Sequence, residues 1–253
     1  MTVSNRSLIM LADALRQRRT TLGTKWRRLP VGRQALLVVA HLRKGEIYAD
    51  LARGFAVGTT TVHRYLREGI DVLAALAPTL DQAITVPAAK AFVTLDGTLL
   101  RIDRVGMTAG RDRPYYSGKH KAHGVTCRCS PTRPGGWSGP PRPCAAPATT
   151  SPPPASTALN NAKVATVADT GYQGAGPAVR VPQRRRRVDP DTDRYRRLSN
   201  NQKAVNTAHA RQRGPGERAN AQLKSWKVPR QIRCCPLRAT ALVQAVLVLI
   251  LTD

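Results

Sequence analysis

Apolar residues in "RQALLVVAHLRKG", Arg33 to Gly45, fall at the spacing of one helix face, and Gly45 is placed to end that helix. The residues up to about 85 read as helical. Within "YADLARGFAVGTTTVHRYLREGI", Ala52, Ala56, Val62 and Tyr65 stand where a helix-turn-helix needs a small residue in its first helix, a small turn residue and two inward positions in its second. The motif covers about 46–67, its turn is "FAVG", and Thr59 to Thr61 are expected to supply hydroxyl caps. Ala56 occupies a turn position where glycine is more usual. Pro78 and Pro87 bound a short connection, after which the periodicity changes. "AFVTLDGTLLRIDRV" alternates apolar with polar residues and is rich in β-branched types, which predicts a strand with Asp96 inside its buried run. "KVATVADTGY" predicts a second, short strand ending in Asp169 before a glycine turn. "NQKAVNTAHARQRGPGERANAQLKSWKV" reads as helix, broken at "GPG" and restarting with Glu217 in its first turn. The closing "ALVQAVLVLILTD" is far short of the roughly 20 residues a spanning helix needs, so it predicts a buried terminal helix. An all-α domain over 1–85 is thus expected to precede an α/β domain over 90–253.

Charge narrows the partner. Lys and Arg number 41 against 15 Asp and Glu, a net charge of +26 in 253 residues, so the chain would attract a polyanion from a distance, and nucleic acid is the expected one. Thr60, His63, Arg64 and Arg67, on the second helix of the helix-turn-helix, are the expected DNA contacts; an ordinary helical hairpin is the plain alternative. The clusters at Lys119 and Lys121 and at Arg184, Arg185, Arg186 and Arg187 are candidates for backbone phosphates, the arginine run reading equally well as a solvated loop. Five cysteines, Cys127, Cys129, Cys144, Cys234 and Cys235, make an odd set of poor disulfide partners and suit a reducing cytosol. The amino-terminal residues lack a sustained apolar run, so neither a secretory signal nor membrane association is expected.

Asp96 and Asp169 on separate strands, with Glu217 on a later helix, form the kind of carboxylate set that binds Mg²⁺ or Mn²⁺ for phosphoryl transfer. Singly, each has a local explanation: Asp96 a turn cap, Asp169 an Asx turn, Glu217 a complement to a helix dipole. In a strongly basic chain with a helix-turn-helix they make a candidate site.

"LDGTLLRIDR", "RPYYSGKHKAHG", "VADTGYQGAG" and "HARQRGPGERANAQLKSW" together resemble the successive motifs of bacterial insertion-sequence transposases with a DDE site, the insertion sequence 5 group related to the Harbinger elements. The resemblance runs from about Leu29 to the carboxy terminus, apart from a middle segment. It implies a ribonuclease H-like catalytic domain, a mixed sheet flanked by helices. It also implies that Asp96, Asp169 and Glu217 are the metal ligands, with Arg213 and Lys224 holding phosphates or orienting the glutamate. The implied reaction is metal-dependent cleavage by water at the ends of a mobile element, followed by attack of the freed 3′ hydroxyl on target DNA. Terminal inverted repeats and target DNA are the implied partners, a homodimer on DNA is expected from the pairing of two ends, and the bacterial cytoplasm, at the nucleoid, is the expected location. The alternative is a transposase-derived protein that binds DNA without cutting it.

The middle segment, 124–157, is expected to be irregular. "GVTCRCSPTRPGGWSGPPRPCAAPATTSPPPAST" is filled with proline, arginine, cysteine and small residues and has no carboxylate. A zinc site of His120, His123, Cys127 and Cys129 suffers from the awkward Cys-x-Cys spacing. A linker or a basic arm fits the composition but puts a long structureless insert inside a compact domain. Translation in a shifted frame explains the composition through GC-rich codons. Trp137 to Pro140 can be encoded so that the neighbouring frame reads Leu-Val-Trp-Ala, and Thr149 to Pro152 so that it reads His-Asp-Leu-Thr. Both resemble what these transposases carry at this point. Two compensating insertions or deletions, near Val125 and near Ala158, are therefore expected, with loss of sheet strands between the first and second aspartate and a copy that folds poorly or lacks activity.

Overall fold

The structure is a computed structural model that describes residues 3–24, 26–77, 93–103, 115–117, 120–129, 143–145, 161, 163–188, 195–233 and 236–253. Four helices open the chain: α1 (Asn5–Thr21), α2 (Val31–Lys44), α3 (Tyr48–Phe55) and α4 (Thr59–Ala75). Ser4 caps α1, its hydroxyl accepting the Ser7 N–H. Gly45 ends α2 in the left-handed conformation at φ 68°, as the sequence pattern predicts. The apolar stripes of these helices meet through Leu11, Leu15, Leu37, Val38, Leu42, Val62, Leu66 and Leu73, all buried.

The turn between α3 and α4 is where the helix-turn-helix departs from ideal chemistry. Ala56 caps α3 at φ 54°, ψ 47°, a left-handed conformation that strains any residue with a Cβ. The expected threonine cap on α4 does not form. Gly58 is its N-cap, and no side chain bonds the free amides there. The hydroxyls of Thr59 and Thr60 stand exposed instead.

Among the described residues seven strands make one mixed sheet. Its centre is β1 (Val93–Ile102). On one side β1 pairs antiparallel with β3 (Ala122–Cys129), which carries β2 (Tyr116–Ser117) and β4 (Pro143–Ala145). On the other it pairs parallel with β5 (Thr166–Ala168), which in turn pairs parallel with β6 (Val179–Arg180). After the long helix α5 (Asn200–Lys224) and the single turn α6 (Lys227–Arg230), β7 (Gln231–Ile232) runs parallel beside the end of β1. The last helix is α7 (Pro236–Thr252).

The middle segment departs from expectation at its start. Gly124–Cys129, expected to be irregular, is the second half of β3 and pairs with β1 from Asp96↔Cys129 to Arg101↔Gly124. Pro143–Ala145 adds β4, so strands do stand between the two aspartates. "HGVTCRC" contains enough β-compatible residues to extend along the ten-residue β1, and Val125 is buried against it. Residues 130–142 and 146–157, which hold the rest of the segment, lie outside the described residues.

The helical part and the sheet share one apolar core. Buried side chains from α1, α2 and α4 are contiguous with Leu100 and Ile102 of β1 and with Leu242, Val243, Val246 and Leu249 of α7. The closing apolar run is thus a buried terminal helix, packed chiefly on α4. Among the described residues no helix is long and apolar enough to cross a membrane.

Ala56→Gly relieves the left-handed strain at the cost of extra freedom in the unfolded chain. It is expected to stabilise the protein by about 0.5–1 kcal/mol, read as a higher denaturation midpoint at unchanged slope.

Candidate functional site

The site begins with strand register. Leu95 of β1 lies beside Ala168 of β5 in parallel pairing, so Asp96 and Asp169 occupy the next equivalent positions on neighbouring strands. Parallel neighbours stand about 4.8 Å apart with matching side chains on one face. Asp96 is buried, and its Oδ1 accepts the Gly97 N–H at 3.1 Å. Asp169 ends its strand and caps a turn of 3₁₀ helix, Thr170–Tyr172, accepting the Thr170 N–H at 2.7 Å. The local Asx-type role weighed for Asp169 is therefore present, and its carboxylate still reaches the site.

Helix α5 covers this face. Contrary to the expected break at "GPG", it runs unbroken from Asn200 to Lys224 with Pro215 inside it. Pro215 removes one helical N–H and crowds the preceding turn, and packing against the sheet carries the helix through. Asn206 exchanges hydrogen bonds with both backbone groups of Gln183, His209 bonds the Arg180 carbonyl at 3.1 Å, and the Thr94 hydroxyl donates to the Gln212 carbonyl at 3.1 Å. Gly216 makes the closest approach: a Cβ there would lie 3.0 Å from Thr94 Cγ2 and 3.2 Å from Asp96 Cβ. The amino end of α5 is closed by a capping box between Ser199 and Gln202.

This seating turns Arg213, Gly216, Glu217 and Asn220 towards the ends of β1 and β5, three and four residues apart on one helix face. Arg213 Nη2 is 3.5 Å from Asp96 Oδ1 and 3.7 Å from Glu217 Oε1, while its Nη1 is 3.5 Å from Asp169 Oδ1. The three predicted carboxylates therefore meet on one guanidinium. Among the described residues no three His, Cys, Asp or Glu side chains come close enough to one another to hold a metal ion. The donors are hard oxygens of the kind Mg²⁺ takes, and the guanidinium occupies the space between them. Lys224, one turn beyond Asn220, is exposed.

Elsewhere, Thr60, His63, Arg64 and Arg67 are all exposed at positions three, four and seven apart, so they share one outward face of α4. The opposite face is held inside by Val62, Tyr65 and Leu66. On its flank the Tyr65 hydroxyl accepts the Leu29 N–H, and Arg27 makes a two-pronged pair with Glu68. Arg184 to Arg187 are exposed on the segment between β6 and α5, with Arg187 stacked over Tyr195 at 5.9 Å. Lys121 is exposed at the start of β3, and Lys119 lies outside the described residues.

The family model described as helix-turn-helix of DDE superfamily endonuclease matches residues 27–79, and the one described as DDE superfamily endonuclease matches residues 150–250. These matches lie in the order of the structure, the first on α2 to α4 and the second on β5 to α7. Together the two matches indicate a DDE superfamily transposase-like endonuclease. No curated protein and no solved structure matches it. In the endonuclease, Asp169 and Glu217 lie within the second match, and Asp96, which precedes it, joins them through the pairing of β1 with β5 and the reach of Arg213. The mixed sheet with flanking helices and the helical amino-terminal region agree with the expected fold.

One residue of the site escaped the sequence reading. Asn220 donates from Nδ2 to Asp96 Oδ2 at 2.8 Å and is buried. The available signal was its spacing, three residues after Glu217 and seven after Arg213, which only a continuous helix turns into a shared face.

Replacing Gly216 by valine would force α5 away from β1. Gly216→Val is expected to destabilise the endonuclease by about 1–3 kcal/mol more than Ala221→Val, an exposed position on the same helix, in denaturant titrations followed by circular dichroism.

Proposed function

We propose that this endonuclease is a transposase of the insertion sequence 5 type, cutting DNA at the inverted-repeat ends of a mobile element and joining the freed ends to target DNA. The observation that carries the reading is the convergence of Asp96, Asp169 and Glu217 on the single guanidinium of Arg213. Three carboxylates held around one cationic group on the face of a mixed sheet are a store of negative charge that a dication can use. Asp96, Asp169 and Glu217 would hold Mg²⁺ or Mn²⁺. When bound, the ions activate the attacking oxygen and stabilise the leaving one in an in-line displacement.

The chain's own residues supply the remaining functions. Gly97 N–H and Asn220 fix the two oxygens of Asp96, and the Thr170 amide fixes Asp169. Arg213 balances the three carboxylates and, with Lys224 further along α5, would hold phosphates or orient Glu217. Thr60, His63, Arg64 and Arg67 present one face of α4 to the major groove of the repeat. Lys119, Lys121 and Arg184 to Arg187 add phosphate contacts along the flanking DNA. A homodimer on DNA follows from the need to bring two element ends together.

Purified protein with its frame restored is expected to nick DNA spanning the element ends in Mg²⁺ or Mn²⁺, and the chain as written to nick it poorly or not at all. Asp96→Asn is expected to lower the rate at least about a thousandfold while leaving the metal-free gel shift intact. Arg64→Ala combined with Arg67→Ala is expected to weaken that shift and reduce its salt slope by about 2. Nicking that survives Asp96→Asn removes the carboxylate site from the reaction. Binding without nicking even in the frame-restored protein favours the second reading, a DNA-binding protein derived from a transposase.

The Pro-rich, carboxylate-free composition of 124–157 supports a further part of this reading, that the stretch is encoded one base out of step between two compensating changes, near Val125 and near Ala158. The nucleotide sequence of codons 120 to 160 tests it. A neighbouring frame that reads Leu-Val-Trp-Ala and then His-Asp-Leu-Thr is expected, and a frame interrupted by stop codons would rule the shift out.

A further inference from the structure

Asn220 combines two properties that do not fit a purely structural side chain. Its amide faces a carboxylate, and an amide facing a carboxylate must present its nitrogen, because an oxygen there would be repelled. The 2.8 Å contact to Asp96 Oδ2 is therefore Nδ2–H donating, and the direction of Oδ1 follows from it. That oxygen is fully buried and has no hydrogen-bond partner among the described residues, although the residue is only 7% exposed. Leaving a buried amide oxygen unpaired carries a desolvation cost that nothing in the described structure offsets. Being on the same terminal amide as Nδ2, Oδ1 cannot be far from the Asp96 carboxylate. The neighbouring positive group is no substitute partner: Arg213 directs its Nη atoms to the three carboxylates, and its own Nε is likewise buried and unpaired.

We propose that Asn220 is a further residue of the site. Its Nδ2 positions the Asp96 carboxylate, and its Oδ1 is a neutral oxygen ligand for the divalent cation that Asp96 would hold. This rests on the carboxylate-site reading above and extends it by one residue. Hard divalent cations accept amide carbonyl oxygens beside carboxylates. A neutral ligand adds an oxygen without adding to the negative charge that Arg213 must balance while the cation is away. The helix makes the assignment specific: Glu217 and Asn220 are one turn apart, so one rigid element delivers a carboxylate and an amide together.

The test is Mn²⁺ binding to the full chain, measured without DNA by electron paramagnetic resonance, in the unaltered protein and in Asp96→Ala, Asn220→Leu and Asn220→Asp. Asp96→Ala is expected to abolish binding. Asn220→Leu, which keeps the volume but neither polar atom, is expected to weaken it about tenfold or more with an unchanged circular dichroism spectrum. Asn220→Asp, which keeps an oxygen at the same place, is expected to bind at least as tightly as the unaltered protein, with a melting temperature more dependent on Mn²⁺ because two carboxylates then face each other. If the leucine variant fails to fold, Asn220→Ala makes the same comparison. Unchanged affinity in the folded leucine or alanine variant, with binding lost in Asp96→Ala, overturns the role of Asn220 and leaves the carboxylate reading standing. Undiminished binding in Asp96→Ala, or no binding by the unaltered protein, overturns both.

Discussion

Two carboxylates at matched positions on adjacent parallel strands repel one another, so a positive group has to stand against them. The constraint is most severe for Asp96, which is buried between the sheet and α5. Arg213 meets it by placing one terminal nitrogen 3.5 Å from each aspartate, from a helix that the sheet itself has to hold in place. The guanidinium fits this task because it is planar, permanently charged and able to serve several oxygens at once. The acidic face of the endonuclease, the seating of α5 and the shape of the site all follow from that compensation.

The docking of α5 depends on what is missing as much as on what is present. A side chain at position 216 would separate helix from strand, and the absent Cβ lets the helix axis come close enough for Asn220 to reach Asp96. Pro215 weakens the helix beside the close approach of Gly216 to β1, so tertiary packing rather than local propensity keeps it continuous. Asn206 and His209 fasten the same face to the segment around β6, two and three turns away. The site therefore rests on a helix anchored along its length.

Much of this was legible from residue order. Alternation marked β1 with Asp96 inside it, Gly45 marked the end of α2, and the spacing of Thr60, His63, Arg64 and Arg67 marked an outward face of α4. Local rules failed where tertiary contacts overrode them. "GPG" reads as a helix break because Gly and Pro are poor helix formers, and only the sheet beneath them reverses that preference. Thr59 to Thr61 look like caps, but the chain enters α4 one residue earlier, at Gly58. Gly124–Cys129 looks unstructured by composition and becomes strand because β1 offers it a long unpaired edge. Asn220 carried only its spacing from Arg213 and Glu217, since an asparagine on a polar helix is ordinary until its partner across the chain is known.

The last helix has a consequence for how the chain is made. α7 is apolar on nearly every side and covers α4, the helix that bears the exposed Thr60, His63, Arg64 and Arg67. Further along, Asp253 accepts hydrogen bonds from the Ser4 N–H and the Ser7 hydroxyl. The first helices leave the ribosome long before the segment that shields their apolar sides, so the amino-terminal layer waits, half covered, for translation to reach α7. The exposed face of α4 thus gains its backing only once α7 has been made and packed behind it.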